Sequence, residues 1–303
     1  MADLQVDIGG LKLKNPVIVA SGTFGYGREF NELYDLSLLG GIAVKGTTFY
    51  PRAGNPPPRI METASGMLNS VGLQNPGVYA VIEEEIPFLR QFDTAIIVNI
   101  AGHNEEQYRA VAEKLVNAEG VDAIEVNISC PNVASGGMAF GTDPVVAARV
   151  TSIVRETCPK IPLIVKLSPN VTDICEIAKA VADVGADAIS LVNTFLGMAV
   201  DIEKRCPVLA NTFGGLSGPA IKPLALRMVW QVAQAVDIPV IGMGGILSAQ
   251  DALEFIMAGA SAIQIGSGNF YNPLAAPEVI EGINNWLDEK GINNIQEIIG
   301  AAW

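Results

Sequence analysis

Lys45, Asn99, Asn127, Cys130, Lys166, Asn193 and Thr194 share one context: each stands at the downstream end of a short apolar run rich in β-branched residues. A lysine or an amide in such a run is costly to bury unless it is paired. A single one reads as a satisfied core group. Repeated at equivalent positions of successive runs, they read as groups converging on one ligand. Lysines supply charge for an anion, and asparagine amides both donate and accept hydrogen bonds. A thiol near Lys45 and Lys166 can lose its proton more easily and act as a base, although a cysteine in the same place also suits a small buried hydrophobe.

Glycines make a second signal. Gly242-Met243-Gly244-Gly245 and Gly266-Ser267-Gly268 follow the last two apolar runs. Glycine lets backbone N–H groups come close to a phosphate, and in closed α/β barrels the loops after strands seven and eight often build such a site. A flat heterocycle held by lysines and asparagines, with its phosphate on these glycines, describes FMN.

The elements that must position these groups are eight runs: Pro16–Ser21, Gly41–Thr47, Ala95–Ala101, Ala123–Cys130, Pro162–Ser168, Ala188–Thr194, Pro239–Gly244 and Ala262–Ser267. Stretches such as VIVA, IIVN and LIVK suit parallel strands buried on both faces. Helical patterns lie between them. Glu105–Ala118 places Tyr108, Val111, Leu115 and Val116 on one face, Asp143-Pro144 and Ser248 are helix starts, and Asp173 lies near another. Gly120, Gly185 and Gly259 stand where helices should stop. Eight alternations predict an α/β chain folded as one (β/α)8 (TIM) barrel over 1–303, rather than an open doubly wound sheet, for which no GxGxxG follows the first run. Leu4–Ile8 and Leu11–Leu13, joined by Gly9-Gly10, predict an N-terminal hairpin plugging the barrel's bottom. The long connections Phe49–Leu68 and Phe195–Gly218 are expected as loops on the C-terminal face, and the small residues of Ala134–Gly141 as a lid. Pro131, which cannot continue a central strand, puts Cys130 at a turn.

Composition narrows the function classes. The chain has 303 residues, half of them hydrophobic and 17% charged, which suits a packed domain. A net charge of −13 disfavours a nucleic-acid partner. No apolar run is long enough to span a membrane and the N-terminus lacks a secretion signal, so a cytoplasmic protein with reduced thiols is expected. The four cysteines, Cys130, Cys158, Cys175 and Cys206, form no CxxC pair, and no metal site is expected. Cys158, Cys175 and Cys206 read as core. His103, the single histidine, reads as a surface or helix-start residue rather than part of a Ser-His-Asp set.

Taken with Ala20-Ser21-Gly22, Val44 to Thr48, Met67 to Leu73, Asn127 to Asn132, Lys166 to Pro169, Leu191 to Thr194, Gly214 to Gly218, Gly244-Gly245 and Gly266-Ser267, the sequence resembles the class 1 dihydroorotate dehydrogenases over essentially its whole length. Gly54-Asn55-Pro56 to Arg59 and Gln74 to Gly77 are similar to the B type, which passes electrons to NAD. The resemblance implies oxidation of dihydroorotate to orotate in pyrimidine synthesis, with Cys130 as base and Lys166 steadying negative charge. It implies that Ser21, Lys45, Gly46, Asn99, Asn127, Lys166, Val192, Gly218, Gly244, Gly245, Gly266 and Ser267 contact one noncovalent FMN. Substrate contacts fall to Lys45, Asn69, Ser70, Val71, Gly72, Leu73, Asn127, Asn132, Asn193 and Thr194. It also implies a partner subunit carrying FAD and a [2Fe–2S] cluster, in a heterotetramer built on a dimer of this chain. Another dihydropyrimidine-oxidising flavin barrel, a dihydrouridine synthase and a non-catalytic barrel are the rival readings.

Overall fold

The computed structural model describes residues 2–129 and 140–303. Eight parallel strands close into a barrel: β1 (Val17–Val19), β2 (Gly41–Ala43), β3 (Ala95–Ile100), β4 (Ala123–Asn127), β5 (Leu163–Lys166), β6 (Ala188–Leu191), β7 (Val240–Met243) and β8 (Ala262–Ile265). Each strand pairs with its successor in sequence, and β8 returns to β1 through Ile263, Gln264 and Ile265 opposite Val17, Ile18 and Val19. The strands are buried on both faces, as continuous apolar runs require: inward residues fill the barrel and outward residues meet the helices.

Every expected run holds a strand, but several strands stop early. β2 ends at Ala43 rather than Thr47, β4 at Asn127 rather than Cys130, and β6 at Leu191 rather than Thr194. Near the mouth the regular ladder gives way to single contacts: the Lys45 N–H donates to Gly25 O in the preceding loop, and the Asn193 N–H to Leu167 O just beyond β5. Lys45, Asn193 and Thr194 therefore sit in the loops above the barrel, not on its strands.

The helices begin where side chains satisfy the first N–H groups. Asp143 accepts from the N–H groups of Val145 and Val146 and caps Pro144–Thr157. Ser248 and Asp251 form a capping box at the head of Ala249–Met257. Asp173 is itself the N-cap of Ile174–Asp183. The helix Glu105–Leu115 buries Tyr108, Val111, Ala112 and Leu115; Val116 follows its last turn and is exposed, so it does not join the apolar face.

At the opposite end of the barrel, Val6–Ile8 and Leu11–Leu13 pair as a hairpin. Val6, Ile8, Leu11 and Leu13 face inward and are buried. The turn is pressed against the start of β6: a Cβ added at Gly9 would lie 2.2 Å from Asp187 O. The hairpin thus plugs the barrel's bottom.

The two long connections also carry strands of their own. Phe195–Met198, Phe213–Ser217, Gly66–Asn69 and Ile60–Thr63 form a four-stranded antiparallel sheet in that order. Leu216 pairs with Leu68 and Gly215 with Asn69. Each connection supplies a hairpin whose edge N–H and C=O groups would otherwise face water; pairing across the barrel mouth satisfies them.

Candidate active site

The C-terminal mouth gathers most of the expected residues. Lys166 ends β5 and is buried. Asn127 ends β4, with its Oδ1 accepting from the Ser129 N–H and, at 3.4 Å, from Asn193 Nδ2. Asn69 Nδ2 donates to Gly215 O, and Thr194 packs on the same glycine, where an added Cβ would come within 2.0 Å of Thr194 Oγ1. The sheet formed by the two long connections thus carries Asn69 to Thr194, and Asn193 carries the contact on to Asn127.

Asn99 is fully buried in β3; an added Cβ at Gly46 would lie 3.0 Å from Asn99 Oδ1 and 3.2 Å from Leu73 Cδ2. Gly46, Asn99 and Leu73 are therefore neighbours. Val71 shares with Lys45 a cavity also lined by Tyr26, Arg52, Gln74, Asn75 and Pro76. Ser70 and Gly72 belong to the same turn, where Asn55 Nδ2 donates to Ser70 O and an added Cβ at Gly72 would strike the Asn55 side chain. Cys130 and Asn132, with the expected lid through residue 139, lie outside the described residues.

Lys45 is the electrostatic focus. Its Nζ reaches Gly22 O at 3.5 Å, and among the described residues it has no carboxylate partner. Its ammonium is held below the usual lysine range, first by burial and then by the positive charges of Arg59 and Lys166. In a chain of net charge −13 this is a local excess of cation, suited to a small anion.

The glycine loops meet one another. The Val192 N–H donates to Met243 O, and an added Cβ at Gly244 would lie 3.5 Å from Val192 Cγ2. One at Gly245 would lie 2.9 Å from Gly218 O. Close packing explains these two glycines. Gly266 differs: an added Cβ would meet only Ala20 Cβ, at 3.9 Å, so the glycine borders open space beside buried Ser21 and Ser267. No turn or loop bond among the described residues uses the N–H of Gly244, Gly245, Gly266 or Ser267 as donor. Backbone N–H groups of this kind beside the open space at Gly266 are the chemistry that a phosphate requires. Asn99 Oδ1 and Gln264 Oε1, both buried and without a partner among the described residues, are acceptors suited to the N–H of a heterocycle. The residues present fit FMN.

Sequence reasoning passed over the centre of this site. Glu125 on β4 is fully buried and accepts from Asn99 Nδ2 at 2.5 Å, Ser190 Oγ at 2.8 Å and Gln264 Nε2 at 2.8 Å, with Lys166 Nζ at 3.8 Å. Its signal was available: Glu125, Ser190 and Gln264 each interrupt an apolar strand, as Asn99 and Lys166 do. Asn170 was also missed; it donates to Thr194 O and accepts from the Leu196 N–H, securing the loop after β6.

The remaining thiols divide. Cys158 is buried and its pKa is pushed up to about 11 by that burial, so it is inert at neutral pH. Cys175 is half-buried in the first turn of its helix. Cys206 is exposed on a short hairpin strand, so the core reading does not hold for it. His103 precedes the N-cap Asn104, its ring against Arg52, consistent with a helix-start role. No helix among the described residues is long and apolar enough to cross a membrane.

Residues 3–287 match the model of the family described as dihydroorotate dehydrogenase. The chain is 58% identical over 299 residues to a dihydroorotate dehydrogenase B (NAD(+)), catalytic subunit, of Geotalea uraniireducens, covering 99% of this chain and 98% of that one. Proteins of the same name from Alkaliphilus metalliredigens (59% over 299 residues, covering 99% and 98%) and Bacillus pumilus (55% over 300 residues, covering 99% and 96%) are similarly close. With a barrel of the expected topology and the strand-end groups gathered at its mouth, the match leaves no ambiguity of kind: the chain belongs to the dihydroorotate dehydrogenase family.

Proposed function

We propose that this chain is the catalytic subunit of an NAD-type dihydroorotate dehydrogenase, oxidising dihydroorotate to orotate in pyrimidine biosynthesis. The observation that carries the reading is Lys45, which has no carboxylate partner among the described residues, beside Arg59 and Lys166 at a mouth lined with asparagines. Dihydroorotate is a cyclic diamide bearing a carboxylate. Lys45 pairs with that carboxylate, which dihydrouracil lacks, and this distinguishes the reading from the related dihydropyrimidine enzymes. Asn69, Asn127, Asn132, Asn193 and Thr194 offer donors and acceptors to the ring amides. The turn Ser70–Leu73 borders the same cavity through Val71 and would add to the substrate's contacts.

Ser21, Gly46, Asn99, Asn127, Val192 and Gly218, with both lysines, would hold the ring system of one FMN, and Gly244, Gly245, Gly266 and Ser267 its phosphate. When bound, the flavin supplies a two-electron acceptor for the hydride of substrate carbon 6. Cys130, as thiolate, takes the proton from carbon 5. Lys166 sets a fixed positive charge where negative charge accumulates. The protein's own contribution is to hold base and ring in register and to exclude water.

The words "catalytic subunit" in the relatives' names support a partner. We assign that partner an FAD and a [2Fe–2S] cluster, in a heterotetramer built on a dimer of this chain in the cytoplasm. The test is anaerobic: FMN-loaded chain mixed with dihydroorotate loses its visible flavin absorbance within the mixing time. Bleaching by dihydrouracil and not by dihydroorotate would overturn the substrate assignment.

A further inference from the structure

Three buried amide and hydroxyl groups and one ammonium, drawn from four different strands, converge on a single carboxylate. Glu125 Oε1 accepts from Ser190 on β6 and Gln264 on β8; Oε2 accepts from Asn99 on β3 and faces Lys166 on β5. A carboxylate at neutral pH only accepts, so it dictates which end of each amide turns toward it. The NH2 groups of Asn99 and Gln264 are committed to Glu125. Their carbonyl oxygens are left buried and unpartnered among the described residues, and Asn99 Oδ1 lies beside Gly46. An orphaned buried acceptor is expensive unless a ligand satisfies it.

We propose that Glu125 is a positioning residue for the flavin site: it fixes the polarity of Asn99 and Gln264, so that acceptors rather than donors are presented to the ring. The inference rests on the reading that FMN occupies this mouth.

Glu125→Gln keeps the shape and breaks the logic. The new amide puts an NH2 against a set of donors, and Asn99 must turn over, offering its own NH2 to the ring. Adding Asn99→Asp restores the pattern: the new amide donates to the new carboxylate, whose second oxygen again presents an acceptor beside Gly46.

Chain freed of flavin is titrated with FMN by quenching of flavin fluorescence, and the visible spectrum is recorded at saturation. Glu125→Gln is expected to weaken FMN binding by about tenfold or more, the worth of one misdirected buried hydrogen bond, and to shift the flavin bands. The double variant is expected to recover both the wild-type affinity, within about threefold, and the wild-type spectrum. A carboxylate with a structural role alone would lower the unfolding temperature of the flavin-free chain and leave affinity and spectrum of the folded protein unmoved. Wild-type affinity and spectrum in Glu125→Gln overturn the proposal. If Glu125→Gln does not fold, the double variant decides: near-native FMN binding supports it, and failure to fold or binding about tenfold weaker than wild type overturns it. Failure of the wild-type chain to bind FMN counts against the flavin reading instead.

Discussion

Replacing Lys45 with methionine separates binding from folding. In the free chain the ammonium is half-buried, lacks a carboxylate among the described residues, and is opposed by Arg59 and Lys166. An unpaired buried cation contributes nothing to stability, and a methionine of similar length fills the same space without its desolvation cost. Lys45→Met is therefore expected to leave the flavin-free chain as stable as wild type or slightly more stable. Orotate binding is expected to suffer. A charge-assisted hydrogen bond contributes about 1.5–3 kcal/mol, which is roughly 10- to 150-fold in Kd. The pH dependence follows the same sign. The lysine pKa is lowered in the folded chain, so the penalty is fully present below that lowered value and is relieved as pH rises through it. An anion binds the protonated form, so wild-type orotate affinity falls as pH climbs through the lowered value toward the ordinary lysine range, while Lys45→Met shows no such slope. The assay is the perturbation of flavin absorbance by orotate across alkaline pH, with chemical unfolding of the flavin-free chain beside it. Orotate binding within twofold of wild type, or a loss of more than about 1 kcal/mol in unfolding free energy, would refute the reasoning.

Three further outcomes are expected. Cys130→Ala should bind orotate normally while the flavin is reduced about 10²–10⁴-fold more slowly by dihydroorotate in stopped flow; near-normal reduction would mean another group is the base. Gly266→Ala should unfold like wild type, since its Cβ meets only Ala20 at 3.9 Å, yet bind FMN at least about tenfold more weakly because the cradle is filled; unchanged affinity by fluorescence quenching would place the phosphate elsewhere. The isolated chain should bleach its flavin with dihydroorotate and produce no NADH until the partner subunit is added, because no dinucleotide-binding glycine motif follows its first strand; rapid NADH formation by the chain alone would dismiss the partner.

What was legible in the sequence was whatever depends on near neighbours. Apolar runs such as Leu163–Lys166 announce buried parallel strands because both faces must be dry, and caps such as Asp143 and Ser248 announce helices because the first N–H groups need an acceptor within a turn. Eight repeats of that local grammar suffice for a barrel. The same grammar puts Asn99, Asn127 and Lys166 at one mouth, since downstream strand ends in a parallel barrel share one rim.

Only the tertiary structure decided what lies across the rim. That Phe49–Leu68 and Phe195–Gly218 join in one sheet depends on Gly215 meeting Asn69, residues far apart in the chain and paired through backbone groups that carry no side-chain signature. That Glu125 is a hub rather than a misplaced charge depends on Asn99, Ser190, Gln264 and Lys166 arriving from four other strands. A sequence states which polar groups are buried; closure of the barrel selects their partners, because a hydrogen bond is decided by distance and angle in space and not by separation along the chain.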